Sequence, residues 1–216
     1  MYNYFRDKFL HKIRLSPFFI QFPVLSFINN REHSIWIKSG KPLPPPRIIK
    51  EKIISKCQAS TGCRILVETG TYRGDMIFFQ LNNFDLLYSI ELDEQLFNEA
   101  KRRFKKYQHV TIVHGDSGKV LRRITDQLKE PAIFWLDGHY SSGVTALGDQ
   151  STPILEELKT IFDTKIDHAI LIDDARLFGT YGDYPTMERL TEFIHQYYPG
   201  LPVEVSDDCI QFVLNN

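Results

Sequence analysis

The chain has 216 residues, of which 43% are hydrophobic and 25% charged, and its formal net charge is −1. That length carries one large domain with a sizeable core, the composition excludes a disordered chain, and the charge offers no whole-chain argument for binding nucleic acid. The cysteines Cys57, Cys63 and Cys209 have no metal-ligand spacing and read as reduced thiols, as expected of a cytoplasmic protein.

Residues 1–47 differ from the rest and read as an N-terminal arm with a Pro-rich connector. Arg6, Lys8, Lys12 and Arg14 stand among aromatics, and the apolar stretch that follows is broken by Pro17 and Pro23. It is too short to span a bilayer and lacks the small-residue cleavage pattern of a signal peptide. A helical arm packed on the domain or on a second copy of the chain is expected, in preference to one lying on a membrane surface. "GKPLPPPR" (40–47) reads as a stiff polyproline connector.

From residue 48 to 216 the chain alternates between apolar runs and amphipathic ones. Strands are predicted at 64–68, 86–91, 110–114, 132–137 and 168–173. Helices are predicted at 72–83, 93–107, 117–128, 152–162 and 185–198. The second of these places Leu96, Phe97, Ala100 and Phe104 on one side and runs from acidic to basic residues, as its dipole favours. Pro153 suits a first-turn position in the fourth. "VEVSDD" and "CIQFVLN" close the chain as a short-turned pair of strands. Near-continuous apolar strands alternating with helices specify an α/β fold, a doubly wound and mostly parallel sheet ending in an antiparallel hairpin.

In such a sheet a ligand sits beyond the carboxyl ends of the strands. Here those ends are acidic: Glu68 with Gly70, Glu91, Asp116, Asp137 with Gly138 and His139, and Asp173 with Asp174. A buried strand should not run into an unpaired carboxylate, so "IFWLDGHY" calls for a partner at Asp137. Gly70 and Gly74 sit between strand and helix, where a ligand can approach the backbone or a turn alone can require them. The pattern is neither the dinucleotide fingerprint nor a P-loop. Glu91 follows about 20 residues later, where a carboxylate can accept from two ribose hydroxyls, or simply open the next helix. Asp116 can accept from an adenine amine or cap a helix together with Ser117. A nucleoside without a phosphate cradle fits these ends, and S-adenosylmethionine is such a ligand.

The segments "VETGTYRG", "LYSIELD", "HGDS", "WLDGHY" and "ILIDD" resemble the class I S-adenosylmethionine-dependent methyltransferases over residues 64–214. The last two are most similar to the macrocin O-methyltransferase family of sugar-modifying enzymes. That resemblance implies a Rossmann-like methyltransferase fold and cofactor contacts from Glu68, Gly70, Thr71, Gly74, Glu91, Asp116, Ser117 and Asp137. It also implies a magnesium ion, or another divalent cation, on Asp137, Asp173 and Asp174. Three carboxylates suit an ion that wants six oxygens and keeps positions open for water or substrate. The family pattern places an acidic general base where this chain has His139. A histidine with a pKa near about 6.5 can serve as that base, as a metal or substrate contact, or as a bystander. The polar loop 138–151 and the loop 175–185, with Arg176, Tyr181 and Tyr184, are expected to shape the acceptor pocket, the tyrosines by stacking on a sugar face and Arg176 by pairing an acidic group of the acceptor.

The expectation is an O-methyltransferase acting on a hydroxyl of a sugar, glycan or other small acceptor, with His139 as catalytic base. The alternatives are a metal-independent methyltransferase of the same fold and a non-catalytic scaffold that binds the same cofactor.

Overall fold

The five apolar runs form the strands β1 (Ile65–Thr69), β2 (Leu86–Glu91), β3 (Val110–His114), β4 (Ala132–Leu136) and β5 (Ala169–Ile172) in a computed structural model that describes residues 23–138 and 152–215. These strands are parallel, in the order β3-β2-β1-β4-β5. The predicted hairpin completes a seven-stranded sheet: β7 (Cys209–Val213) runs antiparallel to β5, and β6 (Glu204–Ser206) antiparallel to β7.

Alternation along each strand sends successive side chains to opposite faces, and both faces are covered. On one face Phe134, Leu136, Ile170 and Ile172 pack with Leu158 and Phe162 of α7 (Ile154–Phe162) and Leu190 and Ile194 of α8 (Met187–Tyr197). On the other, Ile133, Trp135 and Leu171 pack with Ile54 of α2 (Arg47–Thr61), Ile77 of α3 (Asp75–Gln80) and Phe104 of α4 (Glu94–Phe104). Two-sided burial is why the strands read as unbroken apolar runs rather than alternating ones.

Several helices are shorter than their sequence pattern. Gly74 takes a left-handed conformation (φ 71°), so α3 starts only at Asp75. The predicted helix 117–128 is two short pieces, α5 (Ser117–Val120) and α6 (Arg122–Thr125). The helix α4 starts as its charges suggest, with Asp93 capping it by accepting from the Leu96 amide at 2.9 Å and Lys101, Arg102 and Arg103 in its last turn, and it ends at Phe104, short of the predicted 107.

The chain divides into two compact units, Met1–Ile49 and Lys50–Asn216. The described part of the first contains α1 (Pro23–Lys38), where the Trp36 indole donates to the Pro42 carbonyl at 2.8 Å. Residues 1–22, with the basic aromatic stretch, lie outside the described residues. No helix among the described residues is long and apolar enough to cross a membrane. The helix α2, not expected from the sequence, spans the boundary and gives most of its length to the second unit.

Backbone hydrogen bonds carry the parallel ladder one residue past the strands. The Gly70 amide donates to Ile90 (3.0 Å), the Asp137 amide to Thr69 (3.1 Å), the Asp173 amide to Leu136 (3.0 Å) and the Gly115 amide to Glu91 (2.9 Å). The residues that follow each strand are thereby locked side by side along one edge of the sheet.

Candidate functional site

The glycine loop after β1 is tied down by carboxylates. Glu91 accepts from the Tyr72 amide at 2.6 Å and from the Asp93 amide at 2.9 Å, so it fastens the loop to the end of β2. Burial lifts the Glu91 pKa, and the two amides oppose that rise. Glu68 points into the sheet, buried, and accepts from the Ser89 hydroxyl, which is also 2.6 Å from the Thr71 hydroxyl. Burial, followed by the charges of Asp137, Glu91 and Asp75, pushes Glu68 well above the ordinary carboxyl range despite the Ser89 bond. Glu68 and Thr71 therefore brace the loop from beneath.

Gly70 shows how tightly this loop meets β4. Its φ is 87°, and a Cβ there would overlap the Asp137 carbonyl oxygen and lie 2.9 Å from the carbonyl carbon. Gly74 stands at the start of α3. Asp116 caps α5 by accepting from the Gly118 amide at 3.0 Å, and its other oxygen is 3.6 Å from the Lys119 ammonium. Ser117 is buried, and its hydroxyl, the Thr69 hydroxyl and Oε1 of Glu157 all face the Gly138 Cα: a Cβ on Gly138 would lie 3.0–3.1 Å from each. Glu157 is buried on α7, and its Oε1 has no hydrogen-bond partner. Burial raises its pKa to about 7, an effect the Ser117 and Thr69 hydroxyls only partly offset.

The predicted acidic triad is brought together. Asp137, Asp173 and Asp174 each offer a carboxylate oxygen, and these lie within 4.8 Å of one another. Asp173 and Asp174 are buried and Asp137 is half-buried. Asp174 adopts a left-handed conformation (φ 58°), and its side chain meets two cations. Oδ1 accepts from the Arg176 guanidinium at 2.6 Å and lies 3.5 Å from the Lys50 ammonium. Burial and then the charges of Asp137 and Asp174 raise the Asp173 pKa well above normal, against the pull of Lys50. A compact set of hard carboxylate oxygens suits a divalent cation of the magnesium, calcium or manganese type.

The sequence reading missed two parts of this cluster. Lys50, from α2, hydrogen-bonds Asp173 across 123 residues of sequence. Burial disfavours its charge, but Asp137, Asp173 and Asp174 outweigh that and hold its pKa above the ordinary value. The other part is Asp208, buried in the β6–β7 turn, which accepts from both the Arg176 side chain and the Arg176 amide, the latter at 2.9 Å. Arg176 is thus held within the fold by Asp174 and Asp208, where the sequence suggested pairing with an acceptor. Tyr184 is buried, edge-on to Phe178 at 5.1 Å, and not disposed to stack on a sugar, whereas Tyr181 is half exposed. A narrow cleft is lined by Gly138, Glu157, Asp173 and Tyr184, among others. His139 and the rest of the loop through Ser151 lie outside the described residues. Periodicity could have revealed α2, since Ile49, Ile53 and Cys57 recur every fourth residue after Pro46.

No protein-family model matches the sequence, and no curated protein matches it. Solved structures do. The fold is similar to the S-adenosylhomocysteine-bound methyltransferase PaMTH1 of Podospora anserina, at 15% identity and a TM-score of 0.56 over 86% of this chain and 88% of that one. It is similar to an O-methyltransferase of Bacillus cereus in complex with S-adenosylhomocysteine, at 13% identity and a TM-score of 0.57 over 87% and 90%. It is also similar to the O-methyltransferase TomG of Streptomyces achromogenes, involved in tomaymycin synthesis and solved with S-adenosylmethionine, at 14% identity and a TM-score of 0.54 over 86% and 88%. At these identities the likeness is one of fold: the Rossmann-like methyltransferase sheet expected from the sequence.

Proposed function

We propose that the chain is an S-adenosylmethionine-dependent O-methyltransferase that uses a divalent cation, magnesium by preference, and acts on a hydroxyl of a sugar, glycan or other small acceptor. The observation that carries this reading is the juxtaposition at one sheet edge of a glycine loop fastened by Glu91 and a triad of carboxylates, Asp137, Asp173 and Asp174. The similar folds that bind S-adenosylmethionine or its product support the cofactor.

Glu91 accepts from the cofactor ribose, and the backbone of Gly70 lets the amino-acid portion approach. Glu68 and Thr71 hold that loop in place, while Asp116 and Ser117 face the adenine. Asp137, Asp173 and Asp174 hold the cation. When bound, the cation would stabilise charge on the reacting acceptor oxygen. His139 would take the acceptor proton, and S-adenosylmethionine, when bound, would supply the methyl group that the acceptor oxygen receives. Orientation is the main catalytic contribution, since well-placed reactants can gain about 7–11 kcal/mol. The reading needs no nucleic acid or membrane partner. The free thiols Cys57, Cys63 and Cys209 suit the cytoplasm.

The test is titration with S-adenosylhomocysteine, followed by the melting temperature. A ligand at 100 times its Kd stabilises the folded state by about 2.7 kcal/mol, which is roughly 5–11 °C for a chain of this size. Glu91→Ala should shrink that shift, measured from its own ligand-free Tm. No shift in the wild type would favour the scaffold alternative, and equal shifts in both proteins would remove the ribose role.

A further inference from the structure

We infer that the Lys50 ammonium sits in the seat a divalent cation would take, so that metal enters only as Lys50 withdraws; the chain carries a tethered competitor for its own metal site. The inference rests on the reading of Asp137, Asp173 and Asp174 as metal ligands. Nζ of Lys50 hydrogen-bonds Asp173, lies 3.5 Å from Asp174 Oδ1, and interacts with Asp137. The carboxylate oxygens available to an ion lie within 4.8 Å of one another. An ion bonding all three at about 2.0–2.1 Å must occupy the space among them. An ammonium already in contact with two of those carboxylates would face that ion at a separation where like charges repel strongly.

Two further observations favour an exchange over a fixed ion pair. Lys50 lies in the first turn of α2 (Arg47–Thr61), the end of a helix where its dipole disfavours a cation. It is therefore held there by the carboxylates, not by its own helix. Its side chain also retains 19% exposure, so a flexible four-carbon stem has a route outward. Lys50 pairs with Asp173 and Asp174, and Arg176 pairs with Asp174 and Asp208. Arg176 is anchored on Asp208 and Asp174.

The experiment is calorimetric titration of the full chain with magnesium chloride, for wild type, Lys50→Met and Lys50→Arg, with S-adenosylhomocysteine affinity as the check on folding. Lys50→Met keeps the apolar stem and removes the charge. It should bind magnesium at least about tenfold more tightly, because no paired cation has to be expelled. Lys50→Arg should bind no more tightly than wild type. A second measurement on the wild type covers poor folding of the Met variant. Acetic anhydride labelling, read by mass spectrometry, should rise severalfold at Lys50 when magnesium is added and stay unchanged at exposed Lys159. Equal magnesium affinity in wild type and Lys50→Met, or Lys50 labelling that magnesium does not alter, overturns the competition while leaving the metal site standing. Absence of magnesium binding in every variant, with S-adenosylhomocysteine still bound, overturns the competition together with the metal reading and identifies Lys50 as the permanent occupant.

Discussion

Replacing Glu157 by glutamine should stabilise this protein, and more so the higher the pH. The carboxyl is 1% exposed, and its Oε1 lacks a hydrogen-bond partner. Its pKa is raised from 4.5 to about 7 in the folded state. Each pKa unit corresponds to about 1.4 kcal/mol, so holding the group ionised costs the folded protein about 3 kcal/mol. The sign follows from proton counting. Between pH 4.5 and about 7 the folded state binds the proton more tightly than the unfolded one, so raising the pH through this window destabilises the fold. Below the window the group is protonated in both states and contributes no penalty. Glu157→Gln supplies a neutral amide that can donate toward the Ser117 or Thr69 hydroxyls and has no charge to desolvate. Urea unfolding at pH 4, 6 and 8 should therefore show the variant gaining on wild type with pH, by up to about 3 kcal/mol at pH 8. A wild-type-like stability at pH 8, or a difference independent of pH, would refute the picture of a buried carboxyl lacking adequate partners.

Gly70→Ala should cost about 2–4 kcal/mol, combining a left-handed backbone with a clash against the Asp137 carbonyl. Calorimetry should then show Tm lowered by roughly 5–15 °C, and an unchanged Tm would mean that β1 and β4 do not meet this closely. Neighbours in "LDGHY" should fail differently under substitution. Asp137→Asn should raise the magnesium concentration for half-maximal activity and be partly rescued by excess metal. His139→Ala should keep metal affinity but lower turnover by roughly 10²–10⁴-fold. If His139→Ala instead weakens metal binding as Asp137→Asn does, the histidine is a ligand and the base lies elsewhere.

The sheet was legible because burial on both faces leaves its mark on each strand separately: "AIFWL" and "AILI" have no polar face to show. The acids that end those strands were legible for the related reason that a carboxylate is conspicuous after such a run. What escaped notice depends on contacts distant in sequence. Nothing near Lys50 indicates that α2 will bring it to Asp173, and nothing in "SDDC" indicates that Asp208 will meet Arg176. The late start of the predicted helix 72–83, at Asp75, arises from the backbone at Gly74, where the apolar pattern of Met76, Ile77 and Phe78 gives no warning. Cap chemistry misled less: Asp116 caps its helix, one of the two roles the sequence left open, and adenine recognition there remains a proposal.

The position of β7 between β5 and β6 also sets an order of assembly during synthesis. Until residues 204–213 have left the ribosome, β5 has a bare edge, an apolar four-residue strand with unsatisfied amides that can pair with another nascent chain. The same late segment carries Asp208, whose carbonyl accepts from the Ala175 amide at 2.9 Å and whose carboxylate fastens Arg176. A growing polypeptide therefore acquires its glycine loop and carboxylate triad early and the Asp208 latch on Arg176 last. A ribosome stalled shortly before Cys209 would hold a product whose β5 edge is still uncovered and exposed to sheet-edge aggregation.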